Sequence, residues 1–140
     1  MIFLVDTSVA IKWVHEAGEA EVDEARRLLS AHRAGTARVL LLDLAAYEFG
    51  NVLLRPLRQP PSIVIEQLDL LRRLCGPFVH PAPSWLTDAA ELGAQHDLTF
   101  YDACWAAAAR ALDCPLVTAD RKLVSTGLAI SPTEAATKLA

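Results

Sequence analysis

The run from Leu98 to Asp120, LTFYDACWAAAARALDCPLVTAD, leaves this chain few ways to fold. Thr99 precedes Asp102 at capping-box spacing, which places the Thr99 hydroxyl against the free amides of a first helical turn. From Ala103 to Leu112 nearly every residue is Ala, with Trp105 and Leu112 as the bulky exceptions. A helix this thin can lie close against a sheet. Asp113-Cys114-Pro115 then ends it, because Pro115 disfavours helical dihedrals in the residue before it. Leu116-Val117-Thr118 reads as a short buried strand, with Asp120 just past its carboxyl end. In an open α/β sheet that edge is where ligands bind. Two carboxylates delivered there by consecutive elements point to a metal site.

The rest of the chain supplies the sheet that such a helix needs. Ile2–Val5 is a continuous apolar run ending in Asp6, as in a central parallel strand buried on both faces. Thr7-Ser8 opens a short helix through Val14, and Gly18 to Ala34 reads as an amphipathic helix with Val22, Ala25, Leu29 and His32 on its apolar stripe. Gly35 ends that helix, and Arg38–Leu42 is a second buried strand. Asp43 is placed to cap a helix from Leu44 to about Leu54 that carries Glu48, and Ser62 to cap another reaching about Cys75. A short strand at Phe78–His80, a helix ending near Gln95, a short helix at Arg121–Ser125 and a strand at Leu128–Ile130 follow. Ser131, Pro132 and Glu134 start a last helix. Strands alternating with helices predict an α/β fold, a mostly parallel central sheet with helices on both faces.

With 140 residues and no long linker, residues 1–140 are expected to form one domain. No apolar run approaches the roughly 18 residues of a membrane span, and Met1–Asp6 reads as a strand, not a signal peptide. Cys75, Cys104 and Cys114 are odd in number with no close pair, which favours a reduced, cytoplasmic setting. The net charge of −4 carries no basic footprint for nucleic acid. A nucleic-acid substrate would have to be attracted by metal ions and a local cluster of Arg.

Chemistry concentrates in Asp6, Glu48, Asp102 and Asp120. Taken singly, Asp6 and Asp120 also fit helix caps and Asp102 a capping-box partner. Glu48, among apolar and small neighbours in Ala45–Asn51, has no such use, since Glu is seldom buried unless paired. Together the four form an oxygen-only set suited to hard cations such as Mg²⁺ or Mn²⁺, with no competing Cys/His set at zinc spacing. Such a site lowers the pKa of a bound water and stabilises charge on a phosphoryl oxygen, the chemistry of phosphodiester hydrolysis.

Four blocks, Ile2–Trp13 (IFLVDTSVAIKW), Tyr47–Asn51 (YEFGN), Leu98–Ala103 (LTFYDA) and Leu116–Leu123 (LVTADRKL), together resemble the PIN-domain family, with VapC-like toxin ribonucleases as the nearest kind. The resemblance implies a PIN-like three-layer sandwich and Mg²⁺- or Mn²⁺-dependent endonucleolytic cleavage of RNA. It implies Asp6, Glu48, Asp102 and Asp120 as the metal-binding catalytic acids, with the hydroxyls of Ser8 and Thr118 supporting them. It also implies a homodimer and a small antitoxin that occludes the site. A further acid carried by some members after the position of Asp120 is absent, since Lys122, Leu123 and Val124 stand there.

Lys12 is a candidate phosphate contact or a solvated helix charge. Arg72 and Arg73, with Arg55 and Arg58, are candidates for an RNA-binding rim or an ordinary solvated face. The apolar content of Leu44–Cys75, including Leu53, Leu54, Leu57, Ile63, Val64, Leu68 and Leu71, predicts a dimer or antitoxin surface. Two other functions compete: a PIN-fold binding protein without turnover, and a phosphatase with Asp6 as nucleophile. The phosphatase ranks low because haloacid-dehalogenase-like enzymes carry a second Asp where Ser8 stands.

Overall fold

The computed structural model describes residues 1–139. Strand β1 (Ile2–Val5) leads into a short helix α1 (Thr7–Ala10) that tightens into a 3₁₀ turn at Ile11–Trp13, and helix α2 covers Val22–Arg33. Strand β2 (Arg38–Leu40) precedes four helices: α3 (Leu44–Leu54), α4 (Pro61–Cys75), α5 (Pro83–His96) and α6 (Phe100–Ala111). Strand β3 (Leu116–Val117) and helices α7 (Arg121–Ser125) and α8 (Pro132–Thr137) complete the order.

The sheet is parallel throughout, in the order β2-β1-β3, with Ile2 opposite Arg38 and Leu4 opposite Leu116. Phe3, Leu4 and Val5 are all fully buried. Successive strand side chains point to opposite faces, so burial of all three means that both faces of β1 are covered. Helix α2 packs on α8 and β2, while α6 packs on α5 and β3. The Ala-rich helix does what its thinness suggests, since Ala103 through Ala109 are all buried. Asp113, with φ 52°, turns the chain out of α6 toward β3. No helix among the described residues is long and apolar enough to cross a membrane.

Several boundaries differ from the sequence expectations, for local reasons. Helix α2 starts at Val22 rather than Gly18, after Glu21 adopts a left-handed φ of 55°. Its deepest residues are Ala25 and Leu28, with Leu29 only partly buried. Asp43 makes no capping bond to α3, because its carboxylate turns to His80. Helix α4 begins at Pro61, whose missing amide costs nothing in the first turn, so Ser62 lies inside it. The strands expected at Phe78–His80 and Leu128–Ile130 shrink to single bridges, Val79 to Leu42 and Ile130 to Val117. Of the apolar residues named on α3 and α4, Leu53, Val64 and Leu71 are buried in the chain's own core. The two helices pack on each other and absorb them.

Candidate metal centre

Asp6 and Asp120 stand just past the carboxyl ends of adjacent parallel strands, β1 and β3. Each caps the helix that follows. Asp6 Oδ1 accepts from the Val9 amide at 3.4 Å, and Asp120 Oδ1 accepts from the amides of Lys122 and Leu123 at 2.9 and 3.4 Å. Both functions offered for these acids by the sequence are thus compatible, because a cap uses only one carboxylate oxygen. The Ser8 hydroxyl also donates to Asp6 Oδ1, at 2.5 Å. It accepts from the Ala119 amide at 2.9 Å and lies 3.4 Å from the Thr118 hydroxyl, which accepts from the Asp120 amide. Ser8 and Thr118 therefore tie the two strand ends together behind the acids.

Glu48 enters from the middle of α3. Its Oε1 accepts from the Thr7 hydroxyl and from the Trp105 indole N–H, each at 3.0 Å. These two donors went unnoticed in the sequence. A buried indole needs a partner for its N–H, and Trp105 follows Asp102 at the spacing that puts both on one helix face, so a signal for Trp105 was present. Asp102 lies in the first turn of α6, where the Thr99 hydroxyl accepts from its amide at 3.1 Å. The reciprocal half of a capping box is missing, and the Thr99 hydroxyl is the side chain that meets the Asp102 carboxylate.

Charge links the four acids in a row. Burial pushes the Asp6 carboxyl up to about 6, the Ser8 and Thr118 hydroxyls and the Val9 amide pull it back, and the charge of Glu48 adds to the rise. Glu48 is raised mainly by burial, against the bonds from Trp105 and Thr7, and further by Asp102. Asp102 is raised by burial and by Asp120, with the Thr99 hydroxyl and Lys122 opposing. Each acid thus feels the next, from Asp6 through Glu48 and Asp102 to Asp120.

Among the described residues no group of three or more His, Cys, Asp or Glu stands close enough to form a ready metal cage. The donor chemistry nevertheless suits a hard cation. Glu48 and Asp120 each have one oxygen fixed by protein donors, and their other oxygen accepts no hydrogen bond from the described residues, while Ser8 and the Val9 amide fix Asp6 Oδ1.

The candidate basic residues pair with other acids or lie open to solvent. Lys12 is only 4% exposed, and its Nζ pairs with Glu19 at 2.9 Å, so it is not a solvated helix charge. Arg72 is exposed and pairs loosely with Asp69 at 3.7 Å, and Arg73 is exposed beside it on α4. Neither bonds to any of the four acids.

A family profile for the PIN domain matches residues 3–127, which includes all four acids. The chain belongs to the PIN-domain family. Ribonuclease VapC3 of Pyrobaculum aerophilum is 37% identical to this PIN domain over 86 residues, covering 59% of the chain and 66% of that relative. The chain thus spans just under two thirds of the length of the curated relative it matches. Among solved structures, PAE2754 from Pyrobaculum aerophilum superposes with a TM-score of 0.73 at 23% identity, over 99% of this chain and 98% of that one. VapC20 of Mycobacterium tuberculosis, a toxin that cleaves the sarcin–ricin loop, gives 0.69 at 22% identity, over 89% and 95%. VapBC2 of Rickettsia felis, solved with a DNA fragment from its promoter, gives 0.70 at 16%, over 94% and 97%. At these identities the structures speak for the α/β fold of this PIN domain.

Proposed function

We propose that this PIN domain is a metal-dependent endoribonuclease, the toxin of a toxin–antitoxin pair. Asp6, Glu48, Asp102 and Asp120 are its metal-binding catalytic acids. The observation that carries the proposal is that Asp6 and Asp120 end adjacent parallel strands bridged by Ser8 and Thr118, while Thr7 and Trp105 tie Glu48 to the helices that follow Asp6 and carry Asp102. Similarity to a protein named as a ribonuclease supports the RNA substrate. When bound, Mg²⁺ or Mn²⁺ supplies a water of lowered pKa and offsets charge on the phosphoryl oxygens. The protein's part is to hold oxygens in place. Asp6 and Glu48 are braced by Ser8, Thr7 and Trp105, and Asp120 by two backbone amides. Asp102 is placed by the first turn of α6, beside the Thr99 hydroxyl. The three free cysteines suit a reducing cytoplasm.

Asp102→Asn tests the site. It nearly keeps shape and removes one of the crowded charges, so the variant should lose cleavage by orders of magnitude yet melt no lower than wild type in EDTA. Mg²⁺ should raise the wild-type melting temperature more than the variant's, since a ligand stabilises in proportion to its binding. A variant that melts much lower in EDTA and gains equally from Mg²⁺ would make Asp102 a structural residue only. The alternative, a PIN-fold binding protein without turnover, draws on the absence of a ready cage among the described residues. EDTA-sensitive cleavage of labelled RNA by the wild type excludes it.

The partners in this proposal are a small antitoxin and a second copy of the chain. Leu54, Ile65 and Leu70 leave apolar surface on α3 and α4 exposed. Between α4 and the 3₁₀ turn, cavities of about 100 and 150 Å³ share Val14 and Gln67 as lining. The Gln67 Oε1 is buried without a partner. A buried unpaired acceptor is costly, and a docking chain with an N–H to offer removes that cost. Leu70→Glu is therefore expected to weaken antitoxin binding at least tenfold, measured by calorimetry, while Mg²⁺-dependent melting stays as in wild type. Unchanged affinity would exclude this face.

A further inference from the structure

Both tyrosines of the chain lie beside the acids and in water. Tyr47, next to Glu48, is 77% exposed, and Tyr101, next to Asp102, is 61% exposed. Phe100 is 49% exposed beside it. Large aromatic rings left in solvent as a group mark a binding surface. Here the three rings line a cavity of about 260 Å³, with Leu86 and Pro81 among its apolar walls. Cys104, on the same wall, follows Asp102 by two residues on α6. The cavity and the acid row are therefore neighbours.

Its lining contains no Lys or Arg, so it is not built for a phosphate. Its carboxylate, Asp43, pairs through Oδ2 with the His80 ring at 2.6 Å. Asp43 Oδ1 accepts no hydrogen bond from the described residues. Flat rings suit the face of a base, because every base stacks on an aromatic side chain whatever its sequence. A carboxylate at the mouth suits a base edge that donates hydrogen bonds, and guanine presents adjacent imino and amino donors there. Uracil instead flanks its one donor with two carbonyls, which the carboxylate repels.

We infer that this aromatic cavity receives one unstacked nucleobase of the RNA strand, guanine in preference to uracil, through stacking on Tyr47 and Tyr101 and hydrogen bonding to Asp43. The inference rests on the ribonuclease proposal for its substrate class. It also accounts for how a chain with net charge −4 holds RNA: stacking needs no released counterions.

Fluorescence anisotropy of short labelled single-stranded RNAs, each with one guanine or one uridine at the same position, tests it in EDTA. Wild type should bind the guanine strand more tightly. Tyr47→Ala should weaken that binding at least tenfold, and Tyr47→Phe should restore it, since the ring rather than the hydroxyl stacks. Asp43→Asn should erase the preference for guanine. Binding by Tyr47→Ala equal to wild type overturns the inference. So does a Tyr47→Ala variant that turns a dimer into a monomer in light scattering with unchanged RNA affinity, which would assign the surface to a second copy. Loss of antitoxin affinity alone would likewise overturn it. EDTA-sensitive cleavage with Tyr47-independent binding removes the base pocket and leaves the nuclease, whereas guanine-selective, Tyr47-dependent binding without cleavage leaves the pocket and removes the nuclease.

Discussion

Replacing Asp6 by Asn is expected to stabilise the metal-free protein at neutral pH while abolishing RNA cleavage. The Asp6 carboxyl is pushed from an ordinary 3.8 up to about 6, chiefly by burial. A carboxyl whose folded pKa is raised binds its proton more tightly in the folded than in the unfolded chain. Its contribution to stability is therefore fully present below about pH 4 and is lost as pH rises through 6. Two units correspond to about 3 kcal/mol, of which hydration retained at the site will take back part. Asn cannot ionise, yet it keeps the shape, accepts from Ser8 and caps α1 as well as Asp does. In EDTA at pH 7 the variant should melt higher, by up to about 6–12 °C for a chain of this size, and the two proteins should converge near pH 4. Mg²⁺ should raise only the wild type. Thermal melts across pH 4–8, with and without Mg²⁺, measure all of this. A variant that melts below wild type at pH 7 in EDTA would mean that the ionised carboxylate is needed to hold the strand end.

Trp105 is expected to carry the largest stability cost of any residue around the site. It is the largest fully buried side chain, and its indole N–H donates to Glu48. Trp105→Ala should lose about 3–5 kcal/mol in urea unfolding, from lost burial and the void left behind. Trp105→Phe keeps most of the ring and loses the donor. Removing a donor from an ionised carboxylate leaves that oxygen underpaired, which costs about 1.5–3 kcal/mol where it is buried, and less here because Glu48 is only partly buried and retains Thr7. The donor favours the charged form, so its loss should raise Glu48 further. The acid limb of a cleavage–pH profile should then move to higher pH in Trp105→Phe. Thr7→Val removes the other donor and should move it the same way. Opposite or absent shifts in both variants would detach Glu48 from the reaction.

Much of this protein is legible in its sequence because the relevant signals are local. Pro132 and the Ser131–Glu134 spacing mark a helix start that depends only on neighbouring amides. The apolar run Ile2–Val5 makes a doubly covered strand unavoidable, and the poly-Ala stretch makes close packing of α6 possible. The acids at the ends of β1 and β3 follow from strand order and the position of the chain turns. Local rules failed where a side chain had two competing partners. Asp43 has the spacing of a cap, but a histidine from beyond the next two helices takes its carboxylate. Lys12 has the spacing of a surface charge, but the loop after the 3₁₀ turn brings Glu19 onto it. Leu53, Val64 and Leu71 look surplus on isolated helices, yet the pairing of α3 with α4 uses them. Likewise only the folded chain decides how the acids are braced. Thr7 and Trp105 reach Glu48 across 41 and 57 residues of sequence, and no local pattern records a contact whose two halves come together only when the core closes.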